Sequence, residues 1–361
     1  MPTAIIAEDD DGIRLDRWFQ RHATAISFNI VSRWSKTGAV RLDGKKAGPG
    51  DRIRAGQRLD WPENLPAEAT PRRAAKERPP LSDDQVDFMR SLVIHMDAHA
   101  IVINKPPGLA TQGGTGLSTS VDAMLDALQY DAPARPRLVH RLDKDTSGVL
   151  LLARTARAAA FFSKEFSGRD AKKTYWALTV GVPKISAGTI DAPIAKQPGT
   201  GGEKMHVDTE AGLKAKTRYR VIDRAAGRAA WVAFMPLTGR THQIRVHAAA
   251  IGHALVGDGK YGGKDAFLTG GISRKLHLHS RRLVIALPDG RTLDVMAPLP
   301  DHMTESWGML GFDLALGDVE EEAPPPSPAK KSRRLSSTAS GNRRGERRSR
   351  GAQSAAPPRR K

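Results

Sequence analysis

The densest chemical cluster in the chain is Leu138-Val139-His140-Arg141-Leu142-Asp143-Lys144-Asp145-Thr146-Ser147-Gly148-Val149-Leu150-Leu151-Leu152. A polar and charged run from His140 to Ser147, broken only by Leu142, passes straight into an apolar strand. A loop seated on a rigid strand is where a reactive carboxylate is held, but Asp, Thr, Ser and Gly also build ordinary surface turns. On composition alone both readings stand. A second cluster, Leu237-Thr238-Gly239-Arg240-Thr241-His242-Gln243-Ile244-Arg245-Val246-His247, joins two arginines and two histidines to a turn and the start of a helix. Its guanidinium forks suit a phosphate or a distant carboxylate. The competing reading is a solvated basic helix end.

Other chemistries find less support. His242 with His247, or His277 with His279, lack the Cys or carboxylate that would complete a recognisable metal spacing. There is no cysteine, which removes disulfides and thiolate nucleophiles and suits a reducing compartment. The glycine-rich stretch at 108–116 lacks the Gly-Lys-Ser/Thr ending of a phosphate-binding loop, and no Gly-x-Ser-x-Gly elbow occurs. No run of 18 apolar residues is present, so a soluble, cytoplasmic protein without membrane association is expected. The net charge of +18 points to a polyanionic partner. Residues 330–361 hold 12 basic side chains against the single acid Glu346, leaving a net +7 for the rest.

These clusters need elements to position them. Leu15, Trp18 and Phe19, then Ile26, Ile30 and Trp34, fall at helical spacing and predict two short helices. A strand entering the Asp43-Gly44 turn and a second strand ending near Leu59 complete a small unit over residues 12–62, preceded by an N-terminal segment, 1–11. Residues 63–90 have the composition of a linker. Over 91–310 short apolar runs at 100–103, 149–152, 175–180 and 231–234 predict strands, and 120–128 and 156–166 predict helices, in an irregular α+β order. Residues 311–361 form an expected disordered basic tail.

At His140-Arg141-Leu142-Asp143-Lys144-Asp145-Thr146-Ser147-Gly148 the chain resembles the central motif of RluA-type RNA pseudouridine synthases. Asn104-Lys105-Pro106-Pro107-Gly108-Leu109, Lys173-Thr174-Tyr175 and the 238–247 stretch match further motifs in the family's order. Residues 112–118 and 138–152 resemble the RluC type, and the front unit resembles an S4 RNA-binding domain. The resemblance implies a mixed, mainly antiparallel catalytic sheet with flanking helices. It implies isomerisation of uridine to pseudouridine in RNA, most closely large-subunit (23S) ribosomal RNA, by a monomer needing no cofactor and no metal. Rival readings are a transfer-RNA synthase and a noncatalytic RNA-binding ribosome-assembly protein; a metal-dependent nuclease is more remote.

By the same resemblance Asp143 is the essential catalytic residue, as nucleophile or as base, after the target base has been flipped out. Asp145, two residues on, is the carboxylate it must be distinguished from. Arg245 is expected to hold Asp143 ionised, with Arg240 as second choice, and Tyr175 to stack on the uracil. Arg141 would enter the gap left by the flipped base or touch phosphate, and His140 would contact RNA or make a structural hydrogen bond. On the front unit Arg14, Arg17, Arg33, Lys36 and Arg41 are candidates for an RNA face.

Overall fold

The computed structural model describes residues 1–23, 25–63, 80–113, 119–168, 170–199 and 204–318. Most of the expected linker, part of the 112–118 loop and most of the expected basic tail lie outside these residues. The chain divides into two compact units, Met1–Val86 and Asp87–Lys361.

In the first unit the helices Leu15–His22 and Phe28–Thr37 form where the apolar spacing places them. Their buried faces bring together Leu15, Trp18, Phe19, Ile30, Val31 and Trp34 over Val40, Ile53 and Leu59. Phe19 meets Trp34 edge to face at 6.1 Å, a contact worth about 1 kcal/mol beyond its buried area. Gly38, at φ 72°, ends the second helix in left-handed backbone. The Asp43-Gly44 pair is also left-handed, as a two-residue hairpin turn requires. One strand was not foreseen: Thr3–Ile5 pairs antiparallel with Arg58–Asp60, so the N-terminal segment joins the small sheet.

The second unit is built on a ten-stranded sheet. Its main path runs Ala187–Asp191, Lys216–Ala225, Ala229–Pro236, Lys172–Val180, Leu278–Ala286, Ser147–Ala153, Ala100–Lys105 and Val93–Met96. Thr292–Met296 and Arg137–Leu138 pair beside the path. Every pairing is antiparallel except that of Leu278–Ala286 with Ser147–Ala153, so the expected mixed, mainly antiparallel α+β architecture is what forms. At that parallel junction Gly148, φ 105°, lies so close to Ser280 that a Cβ would stand 2.2 Å from its carbonyl oxygen. No side chain fits there.

Period-two alternation along the strands divides the core. Trp176 and Leu178 pack with Trp231, Met303 and Trp307 under the helix Asp301–Leu310. Ala177 and Tyr175 face the other way, toward Phe234 and the helix Gln243–Ala250 through Ile244 and Ala248. The helix Ala156–Gly168 covers Val149 and Leu151 with Phe162. Over 120–128 the expected helix is the tighter 3-10 type, Asp122–Leu128; Ser120 Oγ accepts the Ala123 amide at 3.2 Å at its entry. Among the described residues no helix is long and apolar enough to cross a membrane.

Candidate active site

The loop carrying Asp143 leads into the fully buried strand Ser147–Ala153 and is fastened from below. Lys105 is fully buried, and its Nζ donates to the carbonyl oxygens of Pro106 at 2.9 Å, Leu109 at 2.8 Å and Lys144 at 3.0 Å. Three acceptors match the three protons of an ammonium. Burial pulls this amine down to about 7, against the opposing charges of Asp145 and Asp143. Thr111 Oγ1 donates to the Leu142 carbonyl at 2.7 Å and accepts the Leu142 amide at 3.2 Å. Ser147 Oγ meets His279 Nδ1 at 2.9 Å and fixes the loop's exit.

The opposite wall comes from the strand Lys172–Val180 and the start of the helix Gln243–Ala250. Tyr175 stands beside Ser280 in register across the neighbouring strand. Burial, reinforced by the charge of Asp143, pushes its phenol up to about 12, so the hydroxyl is neutral at physiological pH and enters the site as a donor. The turn before the helix is pinned by Gln243, which accepts from Thr238 Oγ1 at 2.6 Å and the Arg240 amide at 3.0 Å. That turn delivers Arg245. Its Nε and Nη2 both donate to Asp258 at 2.8 Å, while Nη1 faces Asp143 Oδ2 at 3.9 Å. Burial opposes the guanidinium's charge, but Asp258 and Asp143 outweigh it and hold the group protonated above its ordinary range.

A cavity of about 390 Å³ opens over Asp143, walled by His140, Arg141, Lys173, Tyr175, Arg240 and Arg245 among others. A second, of about 910 Å³, shares Arg141, Asp143, His242 and Arg245 and runs past Lys144, Lys196, Lys260, Arg274 and Lys275. The single carboxylate of the smaller cavity, set among cations, suits acid–base or nucleophilic work on an anionic polymer. A sequence profile described as RNA pseudouridylate synthase matches residues 99–250. Ribosomal large subunit pseudouridine synthase C of Salmonella typhimurium is 33% identical over 82% of this chain and 93% of its own. The chain belongs to the RluA family of RNA pseudouridine synthases. RNA pseudouridine synthase 4, mitochondrial, of Arabidopsis thaliana is 35% identical over 66% of this chain, which spans 63% of that protein's length. The solved structure of human RNA pseudouridylate synthase domain containing 4 superposes with a TM-score of 0.55 at 30% identity, covering 64% of this chain and 98% of its own. As a member of this family the chain is an isomerase acting on RNA.

The synthase brings Asp143, Tyr175, Arg245, His140, Arg141 and Arg240 to the same cavity. Their engagements differ. Arg141 is exposed; Arg240 is exposed too and donates to the Lys214 carbonyl at 3.2 Å. His140 accepts the Leu151 amide on Nε2 at 2.9 Å and stacks on Phe166 at 4.3 Å, which commits its ring to the scaffold. Arg14, Arg17, Arg33, Lys36 and Arg41 are exposed and belong to the front unit, where Arg14 grips Asp16 through two bonds and Arg41 donates to the Gly38 carbonyl. Sequence reasoning missed Asp258 and Tyr261, which no local pattern ties to Arg245. It also missed Lys173, although its spacing of two from Tyr175 puts both on one strand face.

The histidines weighed as metal ligands are committed elsewhere. His247 bonds Thr217 and the Ala192 carbonyl, His277 bonds Ser306, and His279 bonds Ser147 and the Ala297 carbonyl. Burial holds His140 down to about 3 and His277 and His279 to about 4. The unfolded chain takes up these protons below about 6.5 and the folded synthase does not, so stability is present above 6.5 and lost as pH falls. Each group removes about 1.4 kcal/mol per pH unit below that point, and the three together about 4. By pH 5 the three together have removed about 6 kcal/mol, a large share of the about 5–15 kcal/mol by which domains are stable, so the melting temperature should fall steeply as pH drops below about 6.5. Thermal melts from pH 7.5 to 4.5 check this; an unchanged melting temperature would contradict it.

Proposed function

We propose that this synthase isomerises uridine to pseudouridine in large-subunit ribosomal RNA, with Asp143 as the catalytic residue. The observation that carries the proposal is the Asp143 carboxylate at the base of a cation-lined cavity, facing the Arg245 guanidinium with Tyr175 on the same wall. The target nucleotide leaves its stack and enters the cavity. Asp143 then works on the ribose side, by attack on the sugar or by removing a ribose proton, and the N1–C1′ bond breaks. Uracil turns and C5 bonds C1′ as the Asp143–C1′ bond breaks or, where Asp143 acted as base, as the ribose proton is handed back; the C5 proton is released and N1 takes a proton. Atoms and electrons balance within the nucleotide, so no cofactor enters. Tyr175 stacks on the uracil and donates from its hydroxyl, while Arg141 and Arg240, both solvent-accessible, reach the RNA backbone or the vacated stack.

The ribosomal substrate rests on the relatives named as large-subunit synthases, which align over nearly their whole length. The front unit, two helices on a small sheet with Arg17, Arg33, Lys36 and Arg41 outward, acts as an S4-type RNA-binding module, and residues 330–361 add a salt-sensitive, nonspecific hold. Asp143, Tyr175 and Arg245 lie within the second unit, and the proposal takes the working form to be a cytoplasmic monomer. The test is tritium release from 5-tritiated uridine in unmodified large-subunit ribosomal RNA and in transfer RNA. Release from the ribosomal RNA alone is the expected result. Release only from transfer RNA would overturn the substrate, and release from neither would overturn the activity.

A further inference from the structure

His242 enters the helix Gln243–Ala250 from left-handed backbone, φ 54° and ψ 22°. A residue with a Cβ adopts that conformation at a cost, and such strain gathers where a side chain must be aimed. The ring is mostly buried, and its Nδ1 lies 2.7 Å from Tyr261 Oη. Tyr261 Oη already accepts the Met205 amide at 3.1 Å. The phenol's own proton is therefore free to go to Nδ1. Burial disfavours the charged imidazole, with Asp143, Arg245, Lys260 and Asp258 the charges around it. A neutral ring that accepts at Nδ1 carries its proton on Nε2. That atom faces Asp143 Oδ2 at 3.9 Å, the same distance at which Arg245 Nη1 faces the same oxygen.

We infer that His242 is a positioning residue for Asp143: its Nε2–H, fixed in that tautomer by Tyr261, closes onto Oδ2 when the cavity is occupied and leaves Oδ1 to the uridine. The two groups stand at 3.9 Å, just beyond hydrogen-bond length, a distance that a small side-chain shift around a bound nucleotide closes. Oδ2 then meets two donors from the first turn of one helix, and the carboxylate loses its freedom to rotate. The inference rests on Asp143 being the catalytic residue.

Two substitutions separate this role from a purely structural one. An asparagine amide reaches where Nδ1 stands, suits left-handed backbone and keeps a partner for Tyr261, but presents nothing to Asp143. A glutamine amide reaches where Nε2 stands. His242→Asn should lower kcat by about 10- to 100-fold, the worth of one hydrogen bond to a charged group, with KM unchanged within about twofold. His242→Gln should recover kcat to within about fivefold. Tyr261→Phe should lower kcat as well and add little to His242→Asn, because the two act as one unit. The assay is single-turnover tritium release with saturating RNA, alongside melting temperatures and an Asp143→Asn control. Asparagine matching wild type, or glutamine falling as far as asparagine with both variants folded, would overturn the role of His242. If wild type released no tritium, or Asp143→Asn still turned over, the functional reading would fail and take this inference with it.

Discussion

Asp143→Asn should abolish pseudouridine formation, lowering kcat by at least about 10⁴-fold, the scale at which a group that forms or relays the reacting bonds is lost. Its fold should survive, because asparagine has the same shape and Asp143 makes no ion pair shorter than 3.9 Å. The melting temperature should therefore stay within about 2 °C of wild type, which corresponds to about 1 kcal/mol or less for a domain of this size. RNA binding should also persist, since the cations lining the two cavities are untouched. Asp145→Asn is the matched control. Asp145 is exposed on the wall of the larger cavity and should tolerate the change with turnover near wild type. Tritium release and RNA filter binding on both variants check the assignment; the opposite pattern, with Asp145→Asn inactive and Asp143→Asn active, would move catalysis by two residues.

Asp258→Asn should be the most damaging conservative change to the scaffold of the site. Asp258 is buried, takes two 2.8 Å bonds from Arg245 and accepts the Tyr261 amide at 3.3 Å. Removing its charge leaves a buried guanidinium whose remaining anion is Asp143. Breaking a buried pair on one side costs about 3–5 kcal/mol, which for a unit of this size lowers the melting temperature by about 10 °C. Activity should fall with it, because Arg245 is then free to swing onto Asp143 and tie up the carboxylate that the proposed mechanism aims at the uridine. Calorimetry and kinetics at a temperature where the variant is folded separate the two losses. A variant with wild-type melting and turnover would show that Arg245 needs no second carboxylate.

What was legible in the sequence was local. The Asp143 loop and the strand behind it announce themselves as a polar run entering an apolar one, and the front helices announce themselves through Trp18, Phe19 and Trp34. The family motifs then placed Asp143, Tyr175 and Arg245, which the fold brings to one cavity. The features that escaped depend on distant partners. Thr3–Ile5 becomes a strand because Arg58–Asp60 returns beside it, and nothing within the first eleven residues says so. Asp258 is silent until the turn at Gly257 lays it against a helix that ended several residues earlier. The left-handed entry at His242 is invisible because the residue type permits but does not demand it.

The ammonium of Lys105 and the three carbonyls around it carry one more implication. A loop whose backbone is held from inside by a buried lysine is set before any RNA arrives, so only side-chain adjustments such as that of His242 are left to the protein. The rearrangement is left to the nucleic acid, whose base must unstack and whose backbone must bend into a rigid mould. A uridine in a loop, or in RNA not yet folded, makes that adjustment at far lower cost than one locked in a finished helix. Tritium release should therefore be faster from a uridine in unfolded RNA than from the same uridine in a finished helix.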